Sequence, residues 1–203
     1  MLKSQLLQEW QDQGIIKDEN VLKAFSQVRR EDFVPKEYRQ QAYEDSPLPL
    51  GHGATISQPT TVMLMLQALE VKQGYTILEI GSGSGYNAAL LSNLVGSKGK
   101  VVTIEYVKEL SKLAEKNLSN FKNVKVVYAD GKYGFKQQYQ YHRIIITAAC
   151  QDFPKDLLNQ LRINGIILAP IGPFHNQEVI KAVKTKTELT RESIGSFVFV
   201  PLK

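Results

Sequence analysis

The sequence predicts an α/β fold: a doubly wound, mostly parallel sheet with a small helical annex at its N-terminal end. From residue 55 onward, short apolar runs alternate with amphipathic stretches of helical length, the pattern of a parallel sheet covered on both faces. A glycine-rich turn, 81–85, follows the first of these runs, at a position where open parallel sheets bind ligands. The length of 203 residues suits one domain with a sizeable core.

The part before residue 55 is less regular. Residues 3–12 and 18–28 predict two short amphipathic helices, and Asp18 is a suitable N-cap for the second. Prolines and glycines punctuate the segment 35–53, which predicts a loop. An irregular segment of this length in a compact domain is more often functional than idle.

The regular part predicts alternating helices and strands. The predicted strands are 76–80, 100–104, 124–128, 143–147 and 166–169, and the segments 177–184 and 195–201 are rich in β-forming residues. The predicted helices are one opened by Ser57-Gln58-Pro59 and running to about residue 69, then 86–94, 107–119 and 154–161.

Composition and charge exclude several kinds of site. Cys150 is the only cysteine, so an intrachain disulfide and a zinc site with several thiolates are excluded. The net charge of +5 comes from basic residues spread along the chain, which does not argue for nucleic-acid binding. No stretch is apolar enough to span a bilayer, and the first ten residues lack a signal-peptide pattern, so we expect a cytoplasmic protein.

The turn Gly81-Ser82-Gly83-Ser84-Gly85 is the central motif, with Glu79 two residues before it. Glycines between a strand and a helix let a ligand approach the backbone closely. A dinucleotide fingerprint has glycines at its first, third and sixth positions, whereas the sixth position here is Tyr86. The spacing therefore disfavours a nicotinamide cofactor, although a glycine-rich turn alone is weak evidence.

Three acidic residues accompany three successive predicted strands: Glu79, Glu105, and Asp130, which precedes Gly131. A carboxylate at the end of the second strand can accept two hydrogen bonds from a ribose diol. In this architecture the position after the third strand lies against an adenine. The structural alternative is that the acids are N-caps of the following helices.

The segment 42–59 reads AYEDSPLPLGHGATISQP and resembles the signature region of protein-L-isoaspartate O-methyltransferases. Its most specific part is Thr-Ile-Ser-Gln-Pro, 55–59. Further resemblance covers nearly the whole chain, at 78–86, 129–131, 144–149, 160–161, 170–172 and 199–202. The resemblance implies a Rossmann-like fold that depends on S-adenosylmethionine. It divides one methyltransferase domain, 1–203, into N-terminal helices with a substrate loop (1–54), a cofactor-binding core (55–175) and C-terminal β segments (176–203).

The resemblance also implies a site. Ser57 would be catalytic and would bind the substrate together with Thr55 and Ile56. The implied cofactor is S-adenosyl-L-methionine, with S-adenosyl-L-homocysteine as its product. Residues implied to bind it are Gln58, Pro59, Thr60, Thr61, Glu79, Gly81, Ser82, Gly83, Ser84, Gly85, Glu105, Tyr106, Asp130 and Gly131. The C-terminal strand ending at Lys203 would lie near the substrate channel. Position alone favours another role for Ser57, that of a helix N-cap before Pro59.

The implied reaction is methylation of the α-carboxylate of L-isoaspartyl residues, and of D-aspartyl residues, in damaged proteins, which initiates repair through a succinimide. A carboxylate has a reference pKa of about 4 and is ionised at neutral pH, so no strong general base is required. Catalysis would then rest on positioning and on partial desolvation of the carboxylate. The partners would be isoaspartyl peptides and proteins, without a membrane or nucleic acid, and we expect a monomer.

Three positions depart from the family pattern, namely Ala54, His142 and Asn164, and two alternatives remain open. His142 stands where an aspartate is common, and we expect it to alter the charge near the cofactor side. The first alternative is a nucleic-acid methyltransferase of the same fold. The segment 147–152 lacks the Asn/Asp-Pro-Pro-aromatic motif of such enzymes, and Cys150 is better interpreted as a buried structural thiol. The second is a methyltransferase for a dedicated peptide, which the sequence does not exclude.

Overall fold

Helices and strands alternate along most of the computed structural model, which describes residues 2–136, 140–173 and 176–202. The helices are α1 (Lys3–Asp12), α2 (Glu19–Gln27), α3 (Pro59–Leu69), α4 (Tyr86–Val95), α5 (Lys108–Asn117) and α6 (Lys155–Gln160). The strands are β1 (Leu48–Gly51), β2 (Ala54–Ile56), β3 (Thr76–Ile80), β4 (Lys100–Glu105), β5 (Val124–Tyr128), β6 (Tyr141–Ile146), β7 (Leu161–Ile171), β8 (Gln177–Lys184) and β9 (Leu189–Phe197). None of the helices in these ranges is long and apolar enough to cross a membrane.

Seven of the strands form one sheet in the order β5-β4-β3-β6-β7-β8-β9. The first five strands of that order are parallel, and β8 and β9 add antiparallel pairs at one edge. The chain moves outward from β3 to β5 and then returns to the other side of β3 with β6. The strand order therefore reverses beside the carboxyl end of β3, which is where such sheets bind ligands. This topology confirms the predicted doubly wound, mostly parallel sheet.

Strand β3 lies at the centre of the core because both of its faces are covered. Ile77 belongs to an apolar cluster on one face, together with α3 and α4, whereas Leu78 belongs to a second cluster on the other face. The predicted N-terminal helices pack into the first cluster through Trp10 and Phe25, whose rings meet edge to face at 4.7 Å. Burying each of these large side chains contributes roughly 2–3 kcal/mol. The annex is therefore attached to the sheet by core packing.

The expected loop at 35–53 contains regular structure, so that prediction was wrong in part. Residues Lys36–Gln41 form a 3-10 helix, and β1 pairs with β2 as an antiparallel hairpin. The hairpin reverses through the two-residue turn of His52 and Gly53, and the φ angles of Gly51, His52 and Gly53 are 84°, 55° and 74°, all left-handed. A glycine in such a turn and another beside it are a turn signal. The prolines at 47 and 49 obscured it.

The last strands also differ from their predicted bounds. Strand β7 is longer than the predicted 166–169, and β9 ends at Phe197, whereas the sequence favoured 195–201. Most of β9 is exposed at the edge of the sheet, and its sequence is largely polar. A strand that buries little apolar surface has a weak hydrophobic pattern, which is why its start was missed.

His142 does not lie near the cofactor side of the sheet, so that expectation was wrong. The Nδ1 atom of His142 accepts a hydrogen bond from the backbone N–H of Thr76 at 3.0 Å, and its ring stacks on Tyr75. Thr76 is the first residue of β3 and His142 the second of β6. These contacts therefore lie at the amino ends of two parallel strands, whereas ligands bind at the carboxyl ends.

Candidate active site

A cavity opens at the carboxyl ends of β3, β4 and β6 and encloses about 1150 Å³ of empty space, including a part open to solvent. Four stretches provide most of its walls: residues 50 and 52–57 of the hairpin segment, 81–84 of the glycine turn, 104–107 after β4, and 199–202 near the C-terminus. The glycine turn and the residues after β4 therefore face the same space as the hairpin segment and the C-terminal residues.

The glycine turn approaches the end of β6 so closely that a side chain at Gly81 would not fit. Gly81 has φ of 97°, and a Cβ added there would lie 2.3 Å from Oγ1 of Thr147. The Thr147 hydroxyl is held in place because it contacts the backbone oxygens of Ile80 and Gly81, at 3.0 and 2.8 Å. Glycine is therefore required by both the backbone angle and the packing.

A buried polar network lies beneath the turn. The carboxylate of Glu79 is fully buried and accepts hydrogen bonds from Nδ2 of Asn87, at 2.8 Å, and from the hydroxyl of Thr103. The Thr103 hydroxyl also lies 2.6 Å from Oγ of Ser82, which lines the cavity. Burial raises the pKa of the Glu79 carboxyl to about 7, although the hydrogen bonds from Thr103 and Asn87 favour its ionised form. Glu79 thus supports the turn from below and does not line the cavity.

Glu105 joins the end of β4 to the glycine turn. Its Oε2 atom accepts a hydrogen bond from the backbone N–H of Gly83 at 2.8 Å, and its Oε1 atom accepts one from that of Val107 at 3.0 Å. Both Glu105 and Tyr106 line the cavity. Each carboxylate oxygen has two lone pairs, so Glu105 can accept further hydrogen bonds from a diol. The N-cap of α5 is Val107, so Glu105 is not the helix cap that the structural alternative required.

For Asp130 the structural alternative holds. Asp130 is the N-cap of a 3-10 helix, Gly131–Tyr133, and its carboxylate accepts a hydrogen bond from the backbone N–H of Lys132 at 2.9 Å. The neighbouring Gly131 lines the cavity, and a Cβ there would lie 2.3 Å from Cγ2 of Ile80. This position therefore keeps the loop close to the end of β3.

Ser57 lies between β2 and α3, is half-buried and lines the cavity. It is not the N-cap of α3: the cap position is Gln58, whose side chain makes no capping bond. Instead, the carboxylate of Asp45 accepts a hydrogen bond from the backbone N–H of Thr60 at 2.8 Å. The hairpin returns the chain to the start of α3. Asp45, fifteen residues before Thr60, therefore provides the cap that the sequence position assigned to Ser57. Within the described ranges, the Ser57 hydroxyl makes no hydrogen bond and is free for a ligand.

Not all of the predicted residues reach the cavity. Those that line it are Thr55, Ile56, Ser57, Gly81, Ser82, Gly83, Ser84, Glu105, Tyr106 and Gly131. Those outside its walls are Gln58, Pro59, Thr60, Thr61, Glu79, Gly85 and Asp130. Among the second group, the hydroxyl of Thr60 accepts a hydrogen bond from the indole N–H of Trp10 at 2.8 Å. The first turn of α3 is thus tied to the N-terminal annex.

The cavity has one wall that the site prediction did not specify residue by residue. Residues 199–202, here named the C-terminal wall, line the cavity. The backbone N–H of Ala149 donates to the Val200 oxygen, and that of Leu202 donates to the Ala149 oxygen, both at 2.8 Å. The expectation that the C-terminal segment lies near the substrate channel agrees with this placement, while Lys203 lies outside the described residues. The sequence signal was the resemblance at 144–149 and 199–202.

Two further kinds of site, a reactive cysteine and a metal centre, can be compared with the described residues. The Cys150 thiol is half-buried, and burial, with a smaller contribution from Asp152, raises its pKa to about 12. A thiol with this pKa is a poor nucleophile at neutral pH. Within the described ranges, no group of three histidine, cysteine or acidic side chains is arranged to hold a metal ion.

Comparison with known proteins identifies the family of the chain. Residues 1–203 match the family model of protein-L-isoaspartate(D-aspartate) O-methyltransferase (PCMT). The chain is 42% identical to the protein-L-isoaspartate O-methyltransferase of Methanosarcina mazei over 94% of this chain and 79% of that protein. It is also 42% identical to that of Pyrobaculum islandicum, over 98% of this chain and 97% of that protein.

Solved structures give the same result. One protein-L-isoaspartate O-methyltransferase superposes with a TM-score of 0.87 at 29% identity over 98% of this chain, which spans 65% of the length of that chain. A Plasmodium falciparum structure, assigned as a protein-L-isoaspartate O-methyltransferase and solved in complex with S-adenosyl-L-homocysteine, superposes with a TM-score of 0.86 at 26% identity. That superposition covers 99% of this chain and 97% of the other.

Proposed function

Because the chain belongs to the protein-L-isoaspartate(D-aspartate) O-methyltransferase family, we propose that it methylates the α-carboxylate of L-isoaspartyl residues in damaged proteins. The methyl donor is S-adenosyl-L-methionine, and S-adenosyl-L-homocysteine is its product. Methylation initiates repair because the ester is lost through a succinimide, and a fraction of the damaged residues thereby returns to normal aspartate. Isoaspartyl peptides and proteins are therefore the partners of the chain.

The observation that carries this proposal is a single cavity with two unlike sides. One side is formed by the glycine turn and Glu105, and the other by Thr55–Ser57 and the C-terminal wall. The unbonded hydroxyl of Ser57 and the carboxylate of Glu105 line the same space. A cofactor and a peptide carboxylate can therefore occupy it together.

The residues fit S-adenosylmethionine as a ligand. Gly81 and Gly131 hold their loops close against Thr147 and Ile80 at the edge of the cavity, and the Glu105 carboxylate keeps lone pairs for a ribose diol. When bound, this cofactor supplies an electrophilic methyl group on a sulfonium. We assign direct contact with it to the predicted residues that line the cavity. Glu79 and the first turn of α3 are assigned the support of that surface.

The chain itself needs to supply orientation and desolvation, because an isoaspartyl carboxylate is already ionised at neutral pH. We assign to Ser57 a hydrogen bond donated to this carboxylate, which fixes the direction of its reacting oxygen. Ile56, Phe199 and Pro201 line the cavity with apolar surface and would exclude water around the carboxylate.

We further propose that residues 1–203 act as one methyltransferase domain, as a monomer, in the cytoplasm and not on nucleic acid. The outer strand β9 carries Arg191 and Glu192, and charged side chains on an edge strand discourage pairing with a second copy. A chain with one cysteine needs no oxidising compartment to fold. The segment 147–152 lacks the motif of enzymes that methylate exocyclic base nitrogens.

The direct experiment is methyl transfer from labelled S-adenosylmethionine to an isoaspartyl peptide, with the peptide of identical sequence containing normal aspartate as its control. We expect label on the isoaspartyl peptide alone. If the protein binds the cofactor and labels neither peptide, the proposed substrate is wrong and the activity belongs to a dedicated peptide or another acceptor.

A further inference from the structure

The C-terminal wall is held at one end by a buried amide. Gln177, the first residue of β8, is fully buried. Its Nε2 atom donates a hydrogen bond to the backbone oxygen of Pro173 at 2.8 Å, and its Oε1 atom accepts one from the backbone N–H of Phe199 at 2.9 Å. Buried amides with both ends bonded fix their neighbours firmly, since leaving either partner unpaired is costly.

This amide lies where the chain leaves the sheet. Gln177 is paired with Phe197, the last residue of β9, and the register of the two strands shifts between Glu178 and Ile180. Such an irregularity bends a strand and changes the direction of the chain beyond it. Val198 is then 69% exposed, whereas Phe199 is only 7% exposed. The Gln177 side chain thus bonds the first backbone N–H of the wall after the strand pairing has ended.

The other attachment of the wall has a different character. At Ala149 the wall is held by two backbone hydrogen bonds, which no side-chain substitution removes directly. The Gln177 attachment depends on one side chain. Gln177 does not itself line the cavity. The glycine turn follows β3 and Glu105 ends β4, whereas Gln177 begins β8. The position of the wall is therefore adjustable through Gln177 without altering the cofactor side.

We propose that Gln177 is a positioning residue for the isoaspartyl peptide: it sets the C-terminal wall, and through it the affinity for the peptide, without touching either ligand. This inference rests on the proposed function, because peptide methylation is its readout. An apolar side chain of the same length would leave the N–H of Phe199 and the oxygen of Pro173 unpaired, and the wall would shift to recover partners.

Gln160 offers a matched control on the other side of the sheet. It ends α6, is 9% exposed, and bonds the backbone at three points: its Oε1 accepts from Phe135, and its Nε2 donates to the oxygens of Tyr133 and Asp156. It therefore fixes the segment that follows Gly131, on the cofactor side. Gln160→Met also removes a buried amide that bonds to the backbone at both ends, but this amide makes no bond to the C-terminal wall.

The experiment compares KM for an isoaspartyl peptide and KM for S-adenosylmethionine in the wild type, Gln177→Met and Gln160→Met, with the melting temperature of each. We expect Gln177→Met to raise the peptide KM about tenfold and to leave the cofactor KM within about twofold. Gln160→Met should raise the cofactor KM and leave the peptide KM within about twofold. Gln177→Asn shortens the side chain by one methylene, so its amide cannot keep both bonds and its peptide KM should also exceed the wild-type value.

Two results would overturn the inference while the wild type remains active: an unchanged peptide KM in folded Gln177→Met, or equal rises of both KM values. If Gln177→Met does not fold and Gln177→Asn does, the peptide KM of Gln177→Asn is compared with that of the wild type, and an unchanged value counts against the proposal. Failure of the wild type to methylate the peptide would instead remove the proposed function.

Discussion

The two sides of the cavity are built in different ways. Most of the cofactor side is one continuous stretch of chain, from β3 through the glycine turn and α4 to the end of β4, to which Gly131 is added after β5. Its polar groups bond to one another beneath the turn. The substrate side is assembled from the hairpin and the C-terminal wall, which lie far apart in the sequence. Single long-range bonds, such as those of Asp45 and Gln177, position it. Substitutions on the cofactor side should therefore damage folding and cofactor binding together, whereas those on the substrate side should act on the peptide.

The largest difference should appear between two glycines with left-handed φ. Gly81→Ala places a Cβ against Thr147, and we expect strain and overpacking to cost about 3–5 kcal/mol of unfolding free energy and to abolish cofactor binding. Gly53→Ala at the hairpin reversal meets nothing within 4 Å and should cost only about 1 kcal/mol. Denaturant unfolding and cofactor titration measure both. Equal losses in the two variants would contradict the contrast between the sides.

The next effect concerns the buried carboxylate of the cofactor side. The folded pKa of Glu79, about 7, lies above its ordinary value of 4.5, so the folded state holds the proton longer than the unfolded chain. The wild type should then lose stability as the pH rises through this window, by on the order of 3 kcal/mol in total. Glu79→Gln is neutral and should remove most of this loss.

The measurement for Glu79 is the unfolding free energy of wild type and Glu79→Gln at pH 5 and pH 8. We expect similar values at pH 5 and a more stable variant at pH 8. Glu115→Gln, on the exposed face of α5, is the control and should leave the pH profile of the wild type unchanged. A Glu79→Gln variant that is less stable than the wild type at pH 8 would show that the ionised carboxylate is the form the fold requires.

On the substrate side, Ser57→Ala tests the proposed contact with the peptide carboxylate. We expect kcat to fall about 10- to 100-fold, because the carboxylate loses its orienting hydrogen bond, while the Kd for S-adenosylmethionine changes less than about twofold. Ser46→Ala, in the same segment but outside the cavity walls, should retain the kcat of the wild type. An active Ser57→Ala enzyme with normal kcat would leave the serine without a catalytic role.

The smallest effect should come from the cap that Asp45 provides to α3. Asp45→Ala leaves the N–H of Thr60 without its partner and should lower the unfolding free energy by about 1 kcal/mol. The adjacent Glu44 is exposed, and Glu44→Ala should change it by less than about 0.5 kcal/mol. Thermal unfolding of the two variants side by side decides whether Asp45 caps the helix, since indistinguishable melting temperatures would show that it does not.

Much of the cofactor side was predictable because its signals are local. The strand 76–80, the glycine turn and Glu105 follow one another at spacings that define their positions. The parts that were mispredicted depend on partners elsewhere in the chain. Ser57 has the sequence position of an N-cap, yet the hairpin brings a better acceptor to the helix from fifteen residues away. His142 was placed on the cofactor side although it directly precedes the predicted strand 143–147, at the amino end and away from the edge where parallel sheets bind ligands.

The sequence by itself determined the alternation of strands and helices, the turn that limits side-chain size, and the family resemblance of 42–59. These features depend on periodicity, on glycine backbone freedom and on contiguous motifs, all of which act over a few residues. Only the tertiary structure decided that Glu79 lies beneath the turn, that Asp45 caps α3, and that Gln177 holds the C-terminal wall. Each of these depends on a hydrogen bond between distant parts of the chain, and burial makes such a bond obligatory only after the sheet has brought its partners together.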